Sequence, residues 1–343
     1  MATTTSIPTP ATTEMIEPEV TLSDSERDNL FDALLSIDAN PYRHYQGFCQ
    51  QISRLAGSES IPEQLREYAD LRRAASPADH PVGYLANAPH DRDVPIFDYE
   101  EPVLSKYTMK TTFVAEGFLV LWAELVGTPG IGYLNVNNGD VFQDIYPKRS
   151  LAHTQSQKAL REICFHKDLA NHFVRPDYVY MLGMRSNPAN LVLTTFASNK
   201  EIIEALDEEQ VAIAREGRFM TPWDDLTILT GAVKVGEANS HPLVSGDVNL
   251  RLFEGRTTGL DEEAQAIVDT VVTTIHRIKR GVNVGPGDFV ITCNNHCVHA
   301  KELVNITDED ALRTRWILKT VNVDSLSPHS ASMVEGVPYL VRG

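Results

Sequence analysis

At about residue 106 the apolar pattern of this chain changes period, and that change constrains what it can fold into. Before it, apolar residues recur three and four apart. Leu30, Phe31, Leu34 and Leu35 follow the capping-box pattern Ser23-Asp24-Ser25-Glu26; Phe48, Ile52 and Leu55 precede Gly57; Leu65, Tyr68 and Leu71 follow Pro62. Each set lines one face of a helix. After it, short β-branched and aromatic runs alternate with Gly, Pro and Asn, as in Gly130-Ile131-Gly132-Tyr133, Asn190 to Phe196, Asp288 to Cys293 and Trp316 to Val323. The spacings predict a mainly helical part over residues 21–105 packed on a sheet-rich core over 106–343. One long helix interrupts the strands, with Ala264, Ile267, Val268, Val271, Val272, Ile275 and Ile278 on one side and His276, Arg277, Lys279 and Arg280 before Gly281. It is expected to pack outside the sheets. Residues 1–20, rich in Thr, Pro and Glu without periodicity, are expected to form a flexible tail.

Composition removes several function classes. With 30 Lys and Arg against 47 Asp and Glu, the net charge of −17 opposes a phosphate backbone or an anionic membrane surface, so neither nucleic acid nor membrane is an expected partner. The longest apolar run, Phe118 to Ala123, is far short of the roughly 20 residues a spanning helix needs. The N-terminus has no basic stretch followed by an apolar one, which predicts a cytoplasmic protein. Cys49, Cys164, Cys293 and Cys297 are then expected to be thiols. No glycine-rich phosphate loop is present.

Chemistry concentrates at three places. In Phe165-His166-Lys167-Asp168 a strand's period of 2 would put His166 and Asp168 on one face. With 47 acids and 11 histidines in 343 residues, chance supplies roughly 1.5 His-x-acid triplets, so this one carries weight only through its context. The context is the Gly-bounded apolar run Gly285 to Thr292, which enters Cys293-Asn294-Asn295-His296-Cys297-Val298-His299. A His and a carboxylate two apart plus a distant His form a facial triad with three open positions, the geometry of non-haem iron(II) oxygenases. A competing set, Cys293, His296, Cys297 and His299, would make a local zinc site and a zinc-stabilised interaction module. The third place is Arg313-Thr314-Arg315-Trp316-Ile317-Leu318-Lys319, which alternates so that Arg313, Arg315 and Lys319 share a face. Behind a metal, such a face clamps a dicarboxylate such as 2-oxoglutarate.

Further marks are Phe142-Gln143-Asp144-Ile145-Tyr146-Pro147, Phe165-His166-Lys167-Asp168-Leu169-Ala170, Arg175-Pro176-Asp177-Tyr178-Val179, Asn294-Asn295 ahead of Val298-His299, and Arg315-Trp316. In these the chain resembles, over about residues 106–325, the clavaminate synthase-like family of Fe(II)/2-oxoglutarate-dependent oxygenases, which includes hydroxylases of free arginine, asparagine and lysine. The resemblance implies a double-stranded β-helix of the jelly-roll, cupin-like type with helices packed outside. It implies His166, Asp168 and His299 as iron(II) ligands, with 2-oxoglutarate and O2 as co-substrates. Thr194 and Arg315 would hold the distal carboxylate of 2-oxoglutarate, with Arg313 as the alternative to Arg315. Ser156, Asn137, Glu254 and Lys319 would contact an amino-acid substrate, Glu254 meeting a basic side chain. The implied reaction, in specialised metabolism such as antibiotic biosynthesis, is hydroxylation at C3, or desaturation or cyclisation by the same chemistry. Asp168 stands where most relatives have Glu, and Ala300-Lys301-Glu302 follows His299 where relatives have Arg. Lys319 stands where relatives use Arg on the substrate's α-carboxylate, which opens the alternative of a substrate tethered to a carrier protein.

Overall fold

Alternation along the central strands sorts side chains between two sheets and the helices outside them. A computed structural model describes residues 13–222 and 239–342. The larger sheet runs, in order, Met333–Val334, Val337–Val341, Gly130–Tyr133, Trp316–Asn322, Tyr178–Arg185, Phe289–Cys293, Val82–Ala86 and Val20–Thr21, and Phe142–Ile145 also pairs with Trp316–Asn322. The smaller runs Glu14–Met15, Arg280–Val282, Leu191–Ser198, Cys297–Asn305 and Ile163–His166. Most pairings are antiparallel. On Trp316–Asn322, Ile317 and Val321 face inward and pack with Met181, Phe196 and Val282 between the sheets. Trp316 and Leu318 point the other way, against Phe48, Leu119 and Trp122 of the helices. The outer face of the smaller sheet offers Phe165, Ala197, Val298 and Ala300 to Ile267, Val268, Val271 and Ile275 of the helix Glu262–Ile278. The order of layers is helices, larger sheet, smaller sheet, helix.

The helix Glu262–Ile278 packs outside the sheets as its spacing predicts, opened by Asp261, whose side chain accepts from the Ala264 amide at 2.9 Å. Gly281 does not cap it. The chain turns at Lys279 straight into Arg280–Val282, where Gly281 lies beside Thr195 and Met15. The Ser23/Glu26 capping box opens the helix Asp24–Leu35. Other boundaries differ from the sequence reading. The division at residue 105 falls inside the helix Pro102–Met109, and helical structure continues through Val114–Val126. That second helix carries the apolar run Phe118 to Ala123, buried on all sides, so periodicity could not mark a face. The helical part also contributes Val82–Ala86 to the larger sheet. Of the expected tail, residues 1–12 lie outside the described residues, whereas Glu14–Met15 and Val20–Thr21 add parallel strands to the two sheets. Backbone pairing at the sheet margins anchors these residues although their side chains bury little.

One close approach matters for the interior. Gly183 lies where a Cβ would sit 1.8 Å from the Gly285 carbonyl oxygen, so only glycine lets the Val284-Gly285 turn cross that strand.

Candidate metal centre

His299 is the third residue of Cys297–Asn305, directly across from His166 on one neighbouring strand and Phe196 on the other. Directly opposed residues share a face, so both imidazoles point between the sheets. Their ring centroids are 4.5 Å apart. Asp168 joins them by a route the period-2 argument did not foresee. The strand ends at His166, and the chain turns through Leu169, whose φ of 51° lies in the left-handed region. Asn294 holds the turn, accepting from the Asp168 amide at 3.0 Å and donating to the Asp168 carbonyl at 3.1 Å and to that of Pro176 at 2.9 Å. The Asp168 Oδ1 atom then lies 3.4 Å from His166 Nε2 and 3.6 Å from His299 Nε2. The three donor atoms lie within 4.8 Å of one another, and among the described residues this is the one such group of His, Cys, Asp or Glu.

The protonation pattern suits a divalent cation. His166 Nδ1 lies 2.8 Å from the Cys164 carbonyl, so that nitrogen carries the proton and Nε2 keeps a free lone pair. The ring also stacks on Phe253 at 5.3 Å. Burial, and then the neighbouring His166, pull the His299 imidazole below its ordinary value and keep it neutral. Burial pushes the Asp168 carboxyl up, but Lys319 and the two histidines outweigh it and hold it well below the ordinary aspartate range. Lys319 donates to Asp168 Oδ2 at 2.9 Å, which leaves Oδ1 toward the histidines.

A cavity opens over the triad, lined by Gln143, Ser156, Gln157, Asn171, Phe253 and Lys319 together with His166 and Asp168. Two expected substrate residues, Ser156 and Lys319, are therefore in its wall. The other two are elsewhere. Asn137 accepts from Lys158 Nζ at 2.6 Å and its amide lies 3.5 Å from Asp144 Oδ2, so its side chain is turned into a polar cluster away from the cavity lining. Glu254 lies in the turn that follows Phe253 and is held away from the cavity: Oε2 accepts from the Phe165 amide at 3.0 Å and Oε1 accepts from His276 Nε2 of the outer helix at 2.5 Å. Its neighbour Phe253 faces the cavity instead, bridged to His166 by its backbone and stacked on that ring. Sequence reasoning gave no role to Gln143, although it lay in a quoted motif. It is buried, directly opposite Lys319, and its Nε2 has no partner.

The cations separate likewise. Arg313 ends the short helix Glu309–Arg313, opened by Asp308 as N-cap, and pairs with Asp310 at the surface, so it does not share a strand face with Arg315. Arg315 is 7% exposed, and its Nη2 has no hydrogen-bond partner. It lines a small cavity with Lys301, Gln157 and Ala159. Thr194, also buried, is directly across from Lys301. The alternative zinc set does not assemble: the Cys293 and Cys297 thiols lie 3.9 and 3.8 Å from the backbone carbonyls of His80 and Pro81, while His299 faces Asp168.

No family model matches the chain. It is 25% identical over 299 residues to L-lysine 3-hydroxylase of Catenulispora acidiphila, covering 84% of this chain and 80% of that protein. It is 26% identical over 293 residues to clavaminate synthase 2 of Streptomyces clavuligerus, covering 80% and 83%. A crystal structure of asparagine oxygenase in complex with Fe(II), 2S,3S-3-hydroxyasparagine and succinate superposes with a TM-score of 0.80 at 19% identity, over 94% of this chain and 99% of that one. This protein thus has the sheet-rich fold of asparagine oxygenase, and its resemblance to the clavaminate synthase-like oxygenases is borne out. No helix among the described residues is long and apolar enough to cross a membrane.

Proposed function

We propose that this protein is an Fe(II)/2-oxoglutarate-dependent oxygenase that hydroxylates an unactivated carbon, C3 in the first instance, of a polar L-amino acid, with basic amino acids the first to test. The observation that carries the reading is the pairing of two features. Three ligand atoms converge, and a guanidinium, that of Arg315, is buried with a nitrogen that has no partner. A divalent cation satisfies the first and a carboxylate the second. Relatives named for lysine 3-hydroxylation and clavaminate synthesis, and the iron and succinate in the asparagine oxygenase structure, support the same chemistry. The facing sheets are read as the double-stranded β-helix of the jelly-roll type.

In this reading His166, Asp168 and His299 would hold the iron. Arg315, with Thr194, receives the distal carboxylate of 2-oxoglutarate. When bound, iron(II) with 2-oxoglutarate and O2 supplies insertion of one oxygen into a C–H bond while 2-oxoglutarate becomes succinate and CO2. Ser156 and Gln143 offer hydrogen bonds to the amino acid, and Phe253 supplies an apolar wall.

The test is succinate release from 2-oxoglutarate under air with iron(II), across free polar L-amino acids, with mass spectrometry for a gained oxygen and His166→Ala as control. One amino acid should stimulate succinate and gain 16 mass units' worth of oxygen, that is, one atom, in the wild type alone. Absence of succinate with iron bound refutes the reading. One observation favours a second reading in which the substrate is tethered to a carrier: Lys319 is engaged by Asp168, so it is not free for an α-carboxylate. There, aminoacyl thioesters and not free amino acids would stimulate turnover.

A further inference from the structure

Lys301 is a second cation beside Arg315, and no role has been given to it so far. It follows His299 by two residues on the same strand, so it points to the same interior face about 6.5 Å further along. That is the span of a five-carbon diacid anchored at the triad. Lys301 and Arg315 line one small cavity, and Thr194 is directly opposite Lys301. Neither cation makes an ion pair among the described residues. Lys301 donates to the Ala159 carbonyl at 2.6 Å, which uses one of its three N–H groups. The acid nearest in effect, Glu162, already accepts from the Leu303 amide at 3.2 Å. A carboxylate between the two cations would offset their mutual repulsion and give the unpartnered Arg315 Nη2 an acceptor.

We propose that Lys301 and Arg315 together grip the distal carboxylate of 2-oxoglutarate, with Lys301 as a co-substrate-positioning residue. The inference rests on the oxygenase reading and adds a second cation to it. It also accounts for the lysine after His299: a compact ammonium approaches the carboxylate from one strand while the planar guanidinium approaches from the facing sheet.

The experiment is calorimetric titration of the full-length, Mn(II)-loaded protein with 2-oxoglutarate and, separately, with 2-oxopentanoate, which has the same length and lacks the distal carboxylate. Lys301→Met should weaken 2-oxoglutarate by roughly ten- to a hundredfold and leave 2-oxopentanoate within about twofold, since a charge-assisted hydrogen bond is lost to one ligand only. Lys301→Arg should restore most of the affinity. Unchanged 2-oxoglutarate binding in Lys301→Met overturns the inference, and so does equal weakening of both ligands, which would mark a structural role. If the wild type itself fails to bind 2-oxoglutarate with Mn(II) present, the oxygenase reading falls and the inference with it.

Discussion

Replacing Lys319 by Met tests the geometry of the metal centre without iron chemistry. Lys319 Nζ and Asp168 Oδ2 are 2.9 Å apart, with side chains only 7% and 14% exposed, so the variant strands a buried carboxylate. Breaking a buried pair from one side costs about 3–5 kcal/mol. The lower end applies, because His166 and His299 still face Oδ1. Unfolding entropy near 2.1 cal/mol/K per residue gives about 0.7 kcal/mol/K for a chain this long, so a loss of about 3 kcal/mol lowers Tm by about 4 °C in metal-free protein. A divalent ion at the triad changes the balance, since it neutralises Asp168 itself and is repelled by the Lys319 ammonium. With saturating Mn(II) the difference should shrink to about 1 kcal/mol. By linkage, the variant then binds Mn(II) more tightly than wild type by about 2 kcal/mol, or about thirtyfold. Differential scanning calorimetry with EDTA and with Mn(II), alongside a direct Mn(II) titration, measures both legs. An equal Tm loss in the two conditions, or Mn(II) binding weakened by the substitution, refutes the argument that Lys319 and the metal compete for one carboxylate.

Three further outcomes follow from the same geometry. Glu254→Gln should leave KM for the amino acid within about twofold, because the side chain bonds the Phe165 amide and His276 outside the cavity; a KM rise of tenfold in steady-state assays would return Glu254 to the substrate. Burial raises the Asp140 carboxyl to about 6 despite Lys106 and the Tyr107 hydroxyl, so wild type loses stability as pH climbs from about 4 through 6 and no further above. Asp140→Asn should therefore gain about 1–3 kcal/mol over wild type at pH 7.5 and nothing at pH 4, and a pH-independent difference in urea midpoints would contradict this. Gly183→Ala places a methyl against the Gly285 carbonyl and should cost more than about 2 kcal/mol in urea unfolding; an unchanged midpoint would mean that the turn moves freely.

What was legible in the sequence was whatever depends on spacing along one element. The 3.6-residue period of Ala264, Ile267, Val268, Val271 and Ile275 put the outer helix in place, and short β-branched and aromatic runs gave the strands around Ile131, Thr194, Val290 and Leu318. The grouping of His166, Asp168 and His299 came from residue types whose joint presence has few other uses. What was not legible depends on which way a residue turns at the end of an element. Glu254 and Phe253 are adjacent, and one bridge between Phe253 and His166 decides that the ring, not the acid, meets the cavity. Arg313 carried a readable signal that the strand pattern overrode: Asp308 ahead of Glu309 and Asp310 is an N-cap with acidic first turn, and it opens the helix that takes Arg313 to the surface. Lys301 stood out only as a departure from relatives and received no role, for a different reason. Its partner Arg315 comes from the other sheet, so the charge pair exists only once the two sheets face each other, and a lone lysine after a histidine has no period to announce it. A buried guanidinium nitrogen without a partner is the signal that replaces the missing motif, and here it belongs to Arg315, which lines one small cavity with Lys301.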